Sequence, residues 1–211
     1  MKKIGLVVLF GLAAAWLFAA GVLVNRENSA FQIAHLDRCS YDVGINNQVA
    51  EVKVLNTFRN MTNGMIYPRF YFPLPRGASA TTLRWHSNNQ WHTAYIAGLP
   101  QNPQGGPSTF PDNFVIYIQL MPVVFDIPDS LAAQDSLSVE LTYVQMLNYN
   151  FGSVTLNLKN NYSGMQAQPL ALQSLDIDIT SDKQILGFEI LDINDQSSHT
   201  THSATGHYSV Q

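Results

Sequence analysis

Apolar and polar residues alternate with a period of two through most of the chain after residue 30. Apolar residues occupy alternate positions at Ala50, Val52, Val54 and Phe58, and most positions between them are polar. The pattern recurs at residues 66–74, 116–120, 137–143, 154–158, 175–179 and 186–190. Because successive side chains of a strand point to opposite faces, each segment predicts a strand with one buried face. Turn-forming residues separate the segments, so we predict an all-β antiparallel β-sandwich, with a closed barrel as the alternative.

No stretch of a dozen residues in this body repeats with a period of 3.6, so no substantial helix is predicted there. The apolar fraction of 46% suits a packed core. Only 12% of residues are charged, roughly half the usual share. Asn, Gln, Ser and Thr supply the polar surface instead, a composition common among exported β proteins.

The N-terminus differs from the body because an uncharged apolar stretch, residues 4–24, follows Lys2 and Lys3. At a rise of about 1.5 Å per residue, a helix of this length crosses a hydrocarbon core of about 30 Å. We predict a transmembrane anchor or a signal peptide over residues 1–24, a linker over 25–31 and the β-sandwich domain over 32–211. The two lysines predict that the body faces the periplasm or the outside, either membrane-anchored or secreted after cleavage.

Charge and cysteine content exclude several classes of site. The formal net charge is −4, which disfavours a nucleic-acid partner because nucleic acids require a basic surface. Cys39 is the single cysteine, which excludes an internal disulfide and a thiolate metal cluster. We predict that Cys39 is a small buried apolar residue, with a reactive thiol as the alternative.

Histidines near the C-terminus could bind a metal, because His199, His202 and His207 have spacings seen in zinc sites. No carboxylate lies between them, and the segment lacks a helix that would align the rings. A solvated polar turn is therefore the better interpretation. We predict no metal and no other cofactor.

Catalytic motifs are absent from the sequence. G-x-S-x-G, the Walker loop and G-x-G-x-x-G do not occur. The paired carboxylates Asp176 and Asp178, or Asp126 and Asp129, could serve a glycosidase. The first pair is also what the outer face of a half-buried strand presents, and the second brackets a turn proline. We therefore predict no catalytic residues and no enzyme.

Aromatic residues cluster around a predicted hairpin, residues 83–96, and the Pro/Gly-rich loop 98–111 that follows it. Two tryptophans flank the hairpin turn and are expected to pair across the strands. An alternative is a carbohydrate- or peptide-binding patch of four aromatic residues from this region. Those residues are Trp85, Trp91, Tyr95 and Phe110.

Two segments go beyond a generic β pattern. Residues 49–60 read VAEVKVLNTFRN and residues 71–78 read YFPLPRGA. They resemble the VIT domain (vault protein inter-α-trypsin domain), in which a strand ending in Phe-x-Asn precedes one ending in Tyr-x-Phe-Pro-Leu-Pro and a small residue. Here Tyr71 stands directly before Phe72, or Phe70 takes the place of the tyrosine. Residues 137–147 are similar to a second hallmark of the family, V-x-x-x-Y-x-x-x-L. The matching positions are Phe58, Asn60, Tyr71, Phe72, Pro73, Leu74, Pro75, Ala78, Tyr143 and Leu147.

The resemblance implies a non-catalytic protein–protein interaction or scaffold module of the cell envelope or extracellular space. Its partner would be a protein, matrix or glycan, and the N-terminal segment would contact the membrane. The module would stand alone or form the N-terminal part of a longer protein with a von Willebrand A domain, whose D-x-S-x-S motif is absent here. The alternatives are a carbohydrate- or peptide-binding β-sandwich that uses Trp85, Trp91 and the 98–111 loop and, third, an exported hydrolase.

Overall fold

The computed structural model describes residues 6–10, 20–28, 30–96, 109–118, 122–158, 162–190, 201–204 and 207–210. This part of the chain is all-β, with a single short helix, α1 (Asp112–Ile118). The first eight strands are β1 (Leu6–Phe10), β2 (Val22–Asn25), β3 (His35–Asn46), β4 (Val49–Arg59), β5 (Pro68–Phe72), β6 (Ala78–Ser87), β7 (Gln90–Tyr95) and β8 (Val123–Asp126). The others are β9 (Ser136–Met146), β10 (Asn148–Asn150), β11 (Ser153–Thr155), β12 (Leu172–Thr180), β13 (Ile185–Ile190), β14 (Thr201–Ala204) and β15 (His207–Val210).

The largest sheet has eight strands in the order β14-β15-β12-β3-β4-β9-β6-β7. Its long central strands alternate as the sequence predicts: Val52, Val54 and Phe58 on β4 are fully buried, as is Val139 on β9. The expectation of purely antiparallel pairing is wrong in this sheet, because β12 runs parallel to β3. Period-two alternation specifies which residues are buried but does not specify strand direction.

A three-stranded sheet has the order β2-β5-β8. Phe70 on β5 contacts Phe58 on β4, with ring centroids 6.2 Å apart. Phe72 contacts Tyr143 on β9 at 5.9 Å. All five residues of β5 are buried, so this strand does not alternate. A further sheet has the order β10-β11-β1-β13, in which β1 runs parallel to both of its neighbours.

The N-terminal segment does not form the expected helix where the structure describes it, because residues 6–10 and 22–25 are strands. Residues 11–19 lie outside the described part of the chain. All four residues of β2 are buried, although we predicted them in the anchor and linker. Within the described ranges, no helix is long and apolar enough to span a membrane.

Buried polar side chains hold the backbone that leads into β2. The Tyr117 hydroxyl donates a hydrogen bond of 2.6 Å to the Ala20 carbonyl and accepts one of 3.0 Å from the Ala20 N–H. The Gly21 N–H donates to Asn56 Oδ1 at 3.1 Å, and Asn56 is fully buried. Since buried backbone groups require partners, these side chains make residues 20–25 part of the domain.

Two predictions of strand geometry are wrong. Residues 116–118 belong to α1, in which Phe114, Tyr117 and Ile118 are the buried residues and have the i, i+3, i+4 spacing of a helix. In β13, Leu186 is 57% exposed and Ile185 is buried, so the strand has the opposite parity to the one predicted. The side chains of Phe188 and Ile190 lie outside the described part.

Candidate functional site

The hairpin β6–β7 is confirmed and has a tight two-residue turn. Asn88 and Asn89 both have positive φ, 50° and 62°, as the two central residues of a type I′ turn require. The register pairs Trp85 with His92 and His86 with Trp91. The two tryptophans are therefore not opposite each other, and the predicted Trp–Trp pair does not form.

Trp85 faces the core from this hairpin and is only 7% exposed. Its indole N–H donates a hydrogen bond of 2.7 Å to Asp129 Oδ2, and the Ser87 hydroxyl donates to the same oxygen at 2.9 Å. His92 stacks on the indole at 5.3 Å, and Phe125 packs against it at 5.5 Å. Trp85 is thus a structural residue that joins the hairpin to the turn after β8.

Trp91 and Tyr95 lie on the opposite, solvent-facing side of the hairpin, 41% and 84% exposed. The Arg84 guanidinium carbon lies 4.7 Å from the centre of a Trp91 ring, and Nη1 donates to Glu140 Oε1 at 3.2 Å. His86 contacts Trp91 at 5.3 Å. We call Arg84, Trp91 and Tyr95 the aromatic face. Planar aromatic rings beside a guanidinium are the chemistry of a binding surface rather than of a reaction centre.

Phe110 does not join this surface. It packs in a separate cluster, 4.9 Å from Phe114 and 6.0 Å from both Phe31 and Tyr71. Of the predicted patch, only Trp91 and Tyr95 come together on one exposed face. Residues 97–108, most of the predicted binding loop, lie outside the described part.

The residues that resemble the VIT signature fill the core and its corners. Phe58, Phe72, Tyr143 and Leu147 are buried, as are Tyr71, Pro73 and Pro75, while Leu74 and Ala78 are partly buried. Desolvation raises the pKa of the Tyr143 hydroxyl, which keeps it neutral. These positions act in packing.

Asn60 forms the corner after β4 and is fully buried. Its Nδ2 donates to the carbonyls of Gly64, Leu131 and Ala132 at 2.7, 3.1 and 3.0 Å. Its Oδ1 accepts from the Thr62 N–H at 3.0 Å and from the Thr62 hydroxyl at 2.7 Å. One amide therefore ties the turn after β4 to the segment before β9.

The candidate carboxylates take part in structural interactions. Asp126 accepts two hydrogen bonds from Arg69, one of them 2.9 Å from Nη2, and Arg69 is buried. These bonds lower the pKa of Asp126, and those from Trp85 and Ser87 lower the pKa of Asp129. Asp176 is exposed on β12. A lowered pKa keeps Asp126 and Asp129 ionised near neutral pH, which is unsuited to a general acid.

Metal-binding groups do not converge in the described part, where no set of three His, Cys, Asp or Glu side chains could hold an ion. His202 and His207 fall in β14 and β15, but their side chains and all of His199 lie outside that part. Cys39 is buried, and desolvation raises the pKa of its thiol to about 12. The thiol is therefore protonated and poorly nucleophilic at neutral pH.

Arg84 and Glu140 were not predicted as site residues, and His86 was considered only as a weak metal ligand. The sequence feature that could have indicated them is the near-repeat of Arg84-Trp85-His86 in Gln90-Trp91-His92. A two-residue turn between the repeats places one tryptophan inside and the other outside, with Arg84 beside the exposed one.

Comparison with known proteins yields structural likeness only. Neither a protein-family model nor a curated protein matches the chain. A protein of Legionella pneumophila, provisionally assigned as nutrient-binding, has a TM-score of 0.46 at 10% identity over 92% of this chain. An M1 zinc metallopeptidase of Deinococcus radiodurans has a TM-score of 0.42 at 9% identity over 83% of this chain. This chain spans 66% and 38% of those two proteins' lengths, and such low scores carry no functional argument.

Proposed function

We propose that the chain is a non-catalytic protein–protein interaction module of the cell envelope or extracellular space, of the VIT type. One observation carries the proposal: Trp91 and Tyr95 are exposed beside Arg84, while the other hairpin tryptophan is buried. Tryptophan, tyrosine and arginine are the residues most enriched among interface hot spots. Burial of both rings against a partner would gain hydrophobic stabilisation.

We further propose that the domain is a β-sandwich formed by the eight-stranded and three-stranded sheets. The contacts of Phe70 with Phe58 and of Phe72 with Tyr143 support this arrangement, because they join the inner faces of two sheets. The module would either stand alone or form the N-terminal part of a longer protein that also contains a von Willebrand A domain.

The residues before Ala20 are proposed to deliver the module to the membrane, as an anchor or as a signal peptide. Lys2, Lys3 and the uncharged residues after them support this role. It requires residues 6–10 to leave β1 and become helical in the membrane. The intact mass of the protein in its membrane fraction separates an anchor from a cleaved signal. A full-length chain in the aqueous fraction would contradict both.

Absence of catalysis is part of the proposal and is supported by the structural use of the two best carboxylates, Asp126 and Asp129. Arg69 holds the first, while Trp85 and Ser87 hold the second. A hydrolytic activity that disappears in Asp129→Asn, with the fold intact, would overturn this part and favour the hydrolase alternative.

The test is the mass of the assembly formed by the full chain. Detergent extracts of the cells that make the protein are compared by native electrophoresis for wild type and for Trp91→Ala/Tyr95→Ala. The matched control is Tyr149→Ala/Phe151→Ala, because these two aromatic residues are also exposed. We expect a complex that shifts to lower mass only in the first variant. A complex equally present in all three chains would overturn the proposal.

Carbohydrate binding is the second candidate, favoured by the spacing of the two exposed rings. Residues four positions apart on a strand lie about 13 Å apart on one face, a distance that several linked sugar rings can bridge by stacking. Pull-down on insoluble cell-wall polysaccharide, lost in Trp91→Ala and retained in Phe151→Ala, would favour this candidate over a protein partner.

A further inference from the structure

Among the described residues, β7 has no neighbouring strand on its outer edge, and that edge lacks the features that normally protect an edge strand. In the described part of the chain, β7 is the last strand of the eight-stranded sheet. Its sequence, QWHTAY, contains no Lys, Arg, Asp, Glu or Pro, and its pairing with β6 shows no bulge. Natural edge strands usually carry a charge, a proline or a bulge that prevents pairing with another chain. The β7 edge is therefore competent to accept another strand.

The hydrogen-bond phase of the hairpin determines which groups face that edge. The Ile96 N–H donates to the Thr81 carbonyl at 3.1 Å. Bonded and non-bonded pairs alternate along an antiparallel ladder. Because Ile96 is bonded, the backbone groups of residues 90, 92 and 94 are also hydrogen-bonded to β6. The backbone N–H and C=O groups of Trp91, Thr93 and Tyr95 therefore point away from β6.

These three outward residues are symmetric about Thr93, with one aromatic residue on each side. An antiparallel second copy, related by a two-fold axis at Thr93, would pair Thr93 with Thr93 of the partner subunit. It would also place Trp91 opposite Tyr95 of the partner subunit. Every outward N–H and C=O of the three residues then has a backbone partner. Each aromatic cross-strand pair would add to the stability of the interface.

We propose that two copies of this chain associate through β7 in this register, so that their eight-stranded sheets form one continuous sheet. The inference rests on the proposed function, because it joins two aromatic faces into one binding surface. Unlike a foreign peptide, a second copy presents this complementary arrangement of aromatic residues by symmetry alone.

Cysteine cross-linking in intact cells tests the register directly. Thr93→Cys places two thiols on a hydrogen-bonded pair, whose Cα atoms lie about 5.5 Å apart, within disulfide range. Thr180→Cys is the matched control because Thr180 is exposed on β12, which has a strand on each side. Cys39 is buried and does not compete. We expect a disulfide-linked product of twice the chain mass from Thr93→Cys, with at least a fivefold lower yield from Thr180→Cys.

Charge substitution at the symmetry axis supplies a second test. Thr93→Lys and Thr93→Glu each place like charges opposite each other, so either chain alone should lose the dimer. Co-expression of the two should restore it, since opposite charges then face each other across the axis. Such mutual rescue requires the two copies to meet at residue 93.

Two results would overturn the homotypic interface. One is equal cross-linking at residues 93 and 180, and the other is a Thr93→Cys adduct of a mass other than twice the chain. If Thr93→Lys still forms the larger complex that depends on Trp91 and Tyr95, the interface is wrong and the proposed function stands. If the dimer forms but the Trp91→Ala/Tyr95→Ala variant still forms the larger complex, the interface stands and the proposed function is wrong.

Discussion

Trp85 and Trp91 lie on opposite faces of the same hairpin, one 7% and the other 41% exposed. Trp85 donates to Asp129 and packs against Phe125, whereas Trp91 has Arg84 over its ring and faces solvent. Two residues of one type, placed close together in the sequence, therefore have separable structural and surface roles. The proposed function depends on this difference between the two tryptophans.

Alanine at each tryptophan should affect stability very differently. Trp85→Ala removes a buried indole and leaves a cavity, which should lower the free energy of unfolding by about 3–5 kcal/mol. Trp91→Ala removes a half-exposed ring and should cost no more than about 1 kcal/mol. Urea denaturation monitored by circular dichroism gives both values. Equal costs would contradict the assignment of Trp91 to a binding surface.

Gly21→Ala tests whether the residues before β2 belong to the domain. An added Cβ at Gly21 would overlap the Phe70 ring, whereas one at Gly64 would meet nothing within 4 Å. Overpacking of a core costs about 1–3 kcal/mol. We expect a loss of that size for Gly21→Ala in thermal unfolding. The matched control, Gly64→Ala, should change stability by less than about 0.5 kcal/mol, and similar values for both would place residue 21 outside the core.

Asn60→Ala should be among the most destabilising single substitutions. It removes five hydrogen bonds at a fully buried corner and leaves the carbonyls of Leu131 and Ala132 without this donor. Each carbonyl keeps a backbone donor, the Ile66 N–H or the Asp135 N–H, so the cost comes from the hydrogen bonds lost. A hydrogen bond contributes about 0.5–1.5 kcal/mol net, and we therefore expect the loss of all five to cost at least about 3 kcal/mol in urea denaturation. Asn63→Ala, at an exposed position in the same turn, should be nearly neutral.

Acid should destabilise the fold through Asp126. Hydrogen bonding to Arg69 lowers the pKa of Asp126 below its ordinary value of 3.8. A carboxylate whose pKa is lowered in the folded state stabilises the fold at pH values above its pKa in the unfolded chain. This stabilisation is lost as the pH falls through its pKa in the folded protein. The free energy of unfolding should therefore decline below about pH 4.

Asp126→Asn should reduce this acid dependence and lower stability at neutral pH, because the buried Arg69 loses its carboxylate partner. We expect a neutral-pH loss of about 1–3 kcal/mol, moderated because the Asp126 side chain is 45% exposed. Asp176→Asn, at an exposed position on β12, is the neutral-pH control. Urea denaturation at pH 7 and pH 3 measures both effects, and an unchanged pH slope in Asp126→Asn would contradict the role of this pair.

The sequence predicted the all-β class and the buried faces of β4 and β9, because one-sided burial produces period-two alternation directly. It failed for β5, which is buried on both faces, and for α1, whose seven residues are too short for a clear helical period. It also failed for Leu186, where neighbouring apolar residues make both parities plausible. The burial of Arg69 was not predicted, because its partner Asp126 lies on a strand that is distant in the sequence although adjacent in the sheet.

The hairpin was predicted, but the roles of its tryptophans were not. Which one faces the core depends on the length and conformation of the turn at Asn88 and Asn89, and a shift of one residue would exchange the two faces. The aromatic face therefore emerges only in three dimensions, where Arg84 on β6 comes beside Trp91 on β7.

Photo-cross-linking tests whether the aromatic face contacts a protein partner in cells. A benzophenone amino acid is placed at Tyr95 or, as a control, at the exposed Phe151, in the full chain within the cells that make it. We expect a discrete protein adduct from Tyr95 whose yield falls at least fivefold when Trp91→Ala is added, and little adduct from Phe151. Equal yields from the two positions, or a Tyr95 yield unaffected by Trp91→Ala, would contradict the proposed function.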